Sequence, residues 1–305
     1  MQHRDNLILE FWDRSRELNA KNNRYRDFVI NLTSILLKND IKTGDLTTNF
    51  LINANKNINA VIAAKESGIF AGLEEFVLLN RDLKIKPLKK DGDEIKNGDV
   101  LIKIRGNPKK ILGRERTSLN LLQRMSGIAT LTNSLVKRLD GKAMLAATRK
   151  TLWGGIDKKA VSIGGGLTHR LGLNDGIIIK DNHLKILDYD IEKALNLAKN
   201  KSKFIEVEVE NKEQALNAAN AIKKLKANKS KSVFAIMLDK INPAEIKLIV
   251  NELKKQNLHD YVLLEASGNI NPDNLKDYSN SGVDLISMGF ITNSAKVLNM
   301  SQEIK

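Results

Sequence analysis

The sequence predicts an α/β protein in which a mixed α+β segment leads into a parallel β-α barrel, and three observations point there. From Lys142 onward, strand-like runs alternate with helical segments, the rhythm of parallel β-α units. Nearly every such run ends in polar residues: Thr148-Arg149-Lys150, Lys180, Asp239, Glu265-Ala266-Ser267-Gly268 and Ser287-Met288-Gly289. A barrel gathers functional groups at the carboxyl ends of its strands, whereas an open sheet uses only the crevice at its switch point. The run "IEVEVE" places Glu206, Glu208 and Glu210 on one face and Ile205, Val207 and Val209 on the other. In a barrel the three carboxylates point inward, where they need cations or a metal beside them. Arg149, Lys150, Arg170 and Lys180 supply that charge.

The first residues, "MQHRDNLILEFWDRSRELN", are charged and helix-like, unlike a signal peptide. Up to about Gly113, "VIAAKESGIFAGLEEFVLL" and "LKIKPLKKDGDEIKNGDVLIKIRGN" mix helix with short strands, turning at Asp91-Gly92 and Asn97-Gly98. A long helix follows in "GRERTSLNLLQRMSGIATLTNSLVKRLDG", with Gly141 as its stop. The barrel strands are "AMLAA", "GIIIK", "FIEVEVE", "VFAIMLD", "YVLLEAS" and "DLISMG". The helices between and after them start at Asp190, Asn211, Pro243, Pro272 and Thr292.

Composition excludes several chemistries. The 305 residues contain no cysteine, so disulfides, thiolate metal sites and a cysteine nucleophile are out. His3, His169, His183 and His259 lack zinc spacing, and His183 reads as a loop cap. No apolar run is long enough to span a bilayer, and a cytoplasmic protein is expected. The net charge of +14 admits a nucleic-acid partner, but aromatic residues make up only 5%, which leaves little for base stacking. The same charge suits a basic pocket for a small polyanion.

One stretch favours the pocket. In "GGGLTHRLGLNDGIIIKDNH", Ile177-Ile178-Ile179 reads as a buried strand ending in Lys180. A lysine there must escape to water or meet an anion. The glycines Gly164 to Gly166 are not a dinucleotide fingerprint, and either a phosphate-contacting loop or a plain turn fits them.

Taken in order, "GDLTT", "ERTSLNLLQRMSGIAT", "TRKT", "GGGLTHRLGLNDGIIIKDNH", "EVEVEN", "IMLD", "EASGNI" and "GVDLISMG" resemble quinolinate phosphoribosyltransferase, the decarboxylating nicotinate-nucleotide pyrophosphorylase. The resemblance runs from about Asp45 to Gly289. It implies a type II phosphoribosyltransferase-like fold, with an N-terminal α/β sandwich domain (1–115) and a C-terminal incomplete α/β barrel (116–290). Residues 291–305 would pack back onto the first domain. It also implies transfer of phosphoribosyl from phosphoribosyl pyrophosphate to quinolinate, with loss of carbon dioxide, in a homodimer or higher oligomer using Mg²⁺. Arg116 matches the arginine given to the neighbouring subunit's site. Arg149, Lys150, Thr151, His169, Arg170 and Lys180 match the basic cluster around carboxylates and phosphates. Glu208 and Asp239 match the acidic pair near ribose and metal, holding Mg²⁺ directly or through substrate and water, and with Lys150 they are the catalytic set. Ser267, Gly268, Asn269 and Gly289 match the positions that hold the 5′-phosphate.

Four positions depart from the family pattern. Ala147 replaces an acidic residue or threonine, Trp153 a proline, Lys240 the asparagine of "LDN", and Asn269 the second glycine of "SGG". Two other readings stand beside this one: a ModD-type paralogue acting on another acceptor, and a basic nucleic-acid-binding protein.

Overall fold

The computed structural model describes residues 2–305. The chain divides into two compact units, each built from several stretches. One comprises residues 2–14, 135–151 and 166–293; the other comprises 15–134, 152–165 and 294–305. The boundary expected at 115/116 is therefore crossed more than once. Residues 2–14 go with the later chain, and 116–134 and 152–165 with the earlier.

The second unit is built on a four-stranded antiparallel sheet in the order β12 (Met300–Ile304), β1 (Ile58–Ala64), β5 (Val100–Gly106), β3 (Lys84–Pro87). A two-stranded ribbon, β2 (Gly68–Ile69) with β4 (Glu94–Ile95), accompanies it. Its helices are α2 (Asn23–Ile41), α3 (Leu46–Leu51), α4 (Leu73–Leu79), α5 (Pro108–Gly113), most of α6 (Glu115–Leu139) and α7 (Gly155–Ile163). The core joins Ile62, Leu101 and Ile102 of the sheet to Phe70, Phe76, Leu119 and Leu122. Asp91-Gly92 and Asn97-Gly98 turn as expected, each glycine at φ +91. Gly164 and Gly165 serve packing and a turn. A Cβ on Gly164 would lie 2.5 Å from the Ala129 carbonyl of α6, and Gly165 adopts φ +91.

The first unit holds six parallel strands: β6 (Met144–Ala146), β7 (Ile177–Ile179), β8 (Phe204–Val209), β9 (Val233–Asp239), β10 (Leu263–Ser267) and β11 (Leu285–Ser287). Their order is β6-β11-β10-β9-β8-β7, and β6 and β7 share no ladder among the described residues. The sheet nevertheless curls. Ala146 of β6 and Phe204 of β8, four strands apart in that order, belong to one buried cluster with Ala235, Leu263 and Leu285. This is the incomplete barrel that the resemblance implies. The accompanying helices are α1 (Gln2–Trp12), α8 (Asp181–Ile186), α9 (Ile191–Ala198), α10 (Lys212–Ala227), α11 (Pro243–Lys255), α12 (Leu275–Ser279) and α13 (Phe290–Asn293).

Asp190 and Asn211 cap α9 and α10 through their side chains, and Pro243 opens α11 behind the Asn242 cap, as sequence predicts. Two starts shift. The helix expected at Pro272 begins at Leu275, because Asn271 and Asn274 first close a turn on each other. Thr292 lies inside a short helix instead of opening one; its hydroxyl donates to the Lys150 and Gly289 carbonyls.

Candidate active site

Inward positions alternate along each strand and so form tiers. The apolar tier includes Phe204, Ala235, Leu263 and Leu285. Two residues on come Glu206, Met237, Glu265 and Ser287, and two further on Glu208, Asp239, Ser267 and Gly289. The polar residues predicted from sequence are thus concentrated toward the carboxyl ends. Glu210 is a correction: β8 ends at Val209, and Glu210 is exposed with its N–H donated to the Gln214 side chain. Only two of the three carboxylates of "EVEVE" are buried inside.

The last tier is basic and acidic together. Lys180 closes an ion pair on Glu208. Lys240 Nζ lies 3.0 Å from Asp239 Oδ2, and that hydrogen bond and charge raise the Lys240 pKa. A Cβ on Gly268, at φ +85, would fall 2.7 Å from Asp239 Oδ1 and 2.6 Å from the Lys240 stem, so only bare backbone fits there. Ser287 Oγ donates to Ser267 Oγ at 3.0 Å. Lys150 runs past Gly289, its Cδ 3.1 Å from where a Cβ would stand, while its N–H donates to Thr148 Oγ1 and the Thr151 N–H to the Arg149 carbonyl.

Arg149 and Arg170 form the most unusual relationship. Arg170 is buried and donates to the Gly176 carbonyl at 3.1 Å. Burial first and the nearby charge of Arg149 second lower its pKa, with Glu206 and Asp175 opposing. Arg149 is itself exposed, and like charges acting on one another favour binding of an anion that relieves them.

His169 lies below this level. Its side chain is 7% exposed and its backbone sits at φ +55. Nδ1 accepts the Arg170 N–H at 2.8 Å, which leaves the ring proton on Nε2. Nε2 faces Glu265 Oε2 at 3.2 Å, to which it donates, with Glu206 Oε2 at 3.9 Å. Both ring nitrogens are therefore engaged inside the protein.

The sequence reads Glu206 as an inward carboxylate and Glu265 as a strand-end polar residue, but assigns neither a role in the site. Glu206 is wholly buried and no donor among the described residues reaches either oxygen. Burial, then the charge of Glu265, push its pKa well up, so it is held neutral with its proton available to Glu265. Burial also pushes Glu265 up, but His169 and Ser287 outweigh it and keep Glu265 ionised. The signal available in sequence was parity: Glu206 shares its face with Glu208. His169, Glu206 and Glu265 bring ligand-type atoms within 4.8 Å of one another. A metal there needs the Nε2 lone pair, and the Arg170 N–H on Nδ1 keeps that nitrogen protonated.

Other predicted residues lie apart. Arg116, in the first turn of α6, is exposed and makes no ion pair among the described residues. Asn269 is exposed at φ +54 and Lys240 has φ +58, left-handed positions that asparagine tolerates better than other side chains. Asparagine thus takes over a glycine-type conformation at 269. Trp153, in the proline position, donates its N–H to Asp157 Oδ2 at 3.0 Å and lies under the Arg124 guanidinium, 5.3 Å from its ring. A proline could make neither contact. His183 is a helix cap rather than a loop cap: its Nδ1 accepts the Lys180 N–H at the start of α8.

Comparison with known proteins adds the family. The model of the quinolinate phosphoribosyl transferase N-terminal domain matches residues 45–126, and that of the C-terminal domain residues 128–303. The chain belongs to the quinolinate phosphoribosyltransferase family. It is 39% identical over 280 residues to the probable nicotinate-nucleotide pyrophosphorylase [carboxylating] of Methanothermobacter thermautotrophicus, covering 88% of this chain and 96% of that protein. The Bacillus subtilis protein of the same name is 38% identical over 274 residues, covering 87% and 89%. Among solved structures, the nicotinate-nucleotide pyrophosphorylase of Francisella tularensis superposes with a TM-score of 0.78 at 33% identity, covering 92% of this chain and 97% of that one. NadC from Streptococcus pyogenes gives 0.79 at 30% identity, covering 91% and 96%.

Proposed function

We propose that the carboxyl end of this parallel sheet transfers the phosphoribosyl group of phosphoribosyl pyrophosphate to quinolinate in NAD biosynthesis. The products are nicotinate mononucleotide, pyrophosphate and carbon dioxide. The observation that carries the reading is the basic set at the strand ends: buried Arg170, exposed Arg149 whose charge it feels, Lys180 on Glu208, and Lys150 against Gly289. Quinolinate offers two carboxylates to such a set, and charge-assisted hydrogen bonds from arginine are among the strongest polar contacts. His169 enters as the brace of Arg170.

The pyridine nitrogen is the nucleophile, so no serine or cysteine is needed. Its lone pair forms the bond to ribose C1 as the C1–oxygen pair leaves with pyrophosphate. Glu208 and Asp239 favour the positive charge that develops on the sugar, and Lys150 with its neighbours the negative charge on the leaving group. Loss of the 2-carboxylate as carbon dioxide leaves its electron pair on C2 beside the cationic ring nitrogen, where a proton then adds. Ser267, Gly268, Asn269 and Gly289 suit the 5′-phosphate, Gly268 by leaving backbone bare, and Thr151 closes the same loop as Lys150.

Glu208 and Asp239 are hard oxygen donors already balanced by Lys180 and Lys240. That donor set fits Mg²⁺ carried in by a diphosphate with its waters, rather than a closed protein cage. Bound there, Mg²⁺ would neutralise the departing pyrophosphate. The protein acts in the cytoplasm as a homodimer or an assembly of dimers, Arg116 reaching the neighbouring site. No described helix is long and apolar enough to cross a membrane. The test is turnover of quinolinate with phosphoribosyl pyrophosphate; turnover of a different acceptor instead would assign a ModD-type paralogue.

A further inference from the structure

Helix α1 lies outside both family matches, which begin at residue 45. It nevertheless belongs to the unit that holds the parallel sheet. Ile8, Phe11 and Trp12, spaced along one helical face, are buried with Ala146, Phe204, Ala235, Leu263 and Leu285 from five of the six strands. Phe204, Leu263 and Leu285 are the first residues of their strands, at the end opposite Glu208 and Asp239. Phe11 stacks on Phe204 at 5.2 Å between ring centroids, and Trp12 meets the same ring edge-on at 4.6 Å. At the outer end of the helix, Arg4 grips Asp284 through two nitrogens, at 2.8 and 2.5 Å, and donates to the His259 and Val262 carbonyls. The helix closes the floor of the barrel.

Its last residue reaches the substrate side. The Trp12 carbonyl accepts the His169 N–H at 2.7 Å, and the Arg14 N–H donates to Thr168 Oγ1 at 2.7 Å. Arg14 pairs with Asp175 at 2.9 Å, and Asp175 in turn accepts the Leu171 N–H. The indole stands perpendicular to the His169 ring, with 6.2 Å between the centroids. These contacts surround a residue at φ +55, a left-handed conformation that costs roughly 1–2 kcal/mol for a side chain other than glycine. What holds His169 there also aims the next residue, Arg170. We infer that α1 is a built-in plug that holds the His169–Arg170 corner in its quinolinate-binding shape, with Trp12 as the positioning residue. This rests on the quinolinate phosphoribosyltransferase reading of the site.

The experiment is steady-state kinetics of the full chain and of Trp12→Phe, varying each substrate in turn, with unfolding midpoints recorded alongside. Phenylalanine keeps an aromatic ring against Phe204 and removes the bulk of the indole that packs edge-on against His169. The expected result is a rise in the KM for quinolinate of about tenfold, with the KM for phosphoribosyl pyrophosphate within about twofold of the parent. Arg4→Ala, which loosens α1 far from the site, is expected to shift the same constant selectively, and it stands in if Trp12→Phe does not fold. In Trp153→Phe, Trp12 is the only tryptophan, and saturating quinolinate is expected to change its emission. Unchanged quinolinate KM in folded Trp12→Phe and Arg4→Ala overturns the inference, as does a parallel loss for both substrates that merely tracks stability. Silence of Trp12 emission at saturating quinolinate overturns it too. Failure of the parent protein to turn over quinolinate would instead sink the functional reading itself.

Discussion

Lys180 and Glu208 stand one rung beyond the paired residues Ile179 and Val207 on adjacent parallel strands, and the ammonium closes an ion pair on the carboxylate. A lysine ending a buried strand thus finds an internal anion before any substrate arrives. The pair shares its setting with a second one, Lys240 on Asp239, whose lysine also feels the charge of Glu208. Substrate binding has to redistribute these charges. Lys180→Ala should therefore lower kcat/KM for quinolinate by at least ~10²-fold, and Glu208→Gln should lower kcat by roughly 10²-fold at saturating substrates and Mg²⁺. Near-parental turnover in both variants would return the pair to a purely structural role.

The buried acids one tier below predict an asymmetry. Glu206 has no donor and is held neutral, whereas Glu265 is ionised against His169 and Ser287. Glu206→Gln should leave stability at neutral pH within about 0.5 kcal/mol of the parent or improve it, while Glu265→Gln, losing the charge-assisted hydrogen bond with His169, should cost about 1.5–3 kcal/mol. The sign of the pH effect follows. A carboxyl raised in the folded state contributes stability that is complete below its unfolded pKa and is lost as pH rises toward the folded one. Urea midpoints should show Glu206→Gln gaining on the parent as pH rises above about 5. A Glu206→Gln midpoint that falls relative to the parent as pH rises contradicts the assignment.

Asn269 carries a conformational prediction. At φ +54 it substitutes for a glycine of the family pattern, so Asn269→Gly should be nearly neutral in stability. Asn269→Val should lose roughly 1–2 kcal/mol, because a β-branched side chain fits that region worst. Equal midpoints for the two variants would show that the side chain, not the backbone, is what position 269 requires.

Much of this was legible in the chain. The strand-helix rhythm gave all six parallel strands, because apolar runs bounded by turn residues leave little choice of period. The tier of strand-end groups followed from counting by twos. What stayed hidden depends on long-range contact. Nothing local in "ILEFW" says that Trp12 closes on His169, a residue more than 150 positions away. Glu210 shows the opposite limit: the alternating pattern continues past the point where the ladder stops. Trp153 departs from the family's proline, and its contacts with Asp157 and with Arg124, the latter distant in sequence, account for it.

Arg116 tests the assembly. It is exposed in this chain, and the proposal places it in a partner's site, where a two-fold arrangement makes a specific demand. Arg116→Ala and Arg149→Ala chains, each inactive alone, are mixed under subunit exchange. One site of each heterodimer then contains both lesions and the other neither, so about a quarter of full per-site activity should return on random mixing. Mixtures shown to contain heterodimer, yet as inactive as their parents, would confine Arg116 to its own subunit.

The central claim is the reaction itself, and its most direct measurement is product analysis with quinolinate and nicotinate offered in turn with phosphoribosyl pyrophosphate and Mg²⁺. Arg149, Arg170 and Lys180 together have charge for two carboxylates. The account predicts nicotinate mononucleotide, pyrophosphate and carbon dioxide from quinolinate in equal amounts, with kcat/KM for nicotinate lower by at least ~10²-fold. Equal turnover of nicotinate, or mononucleotide formed from quinolinate without carbon dioxide, would contradict it.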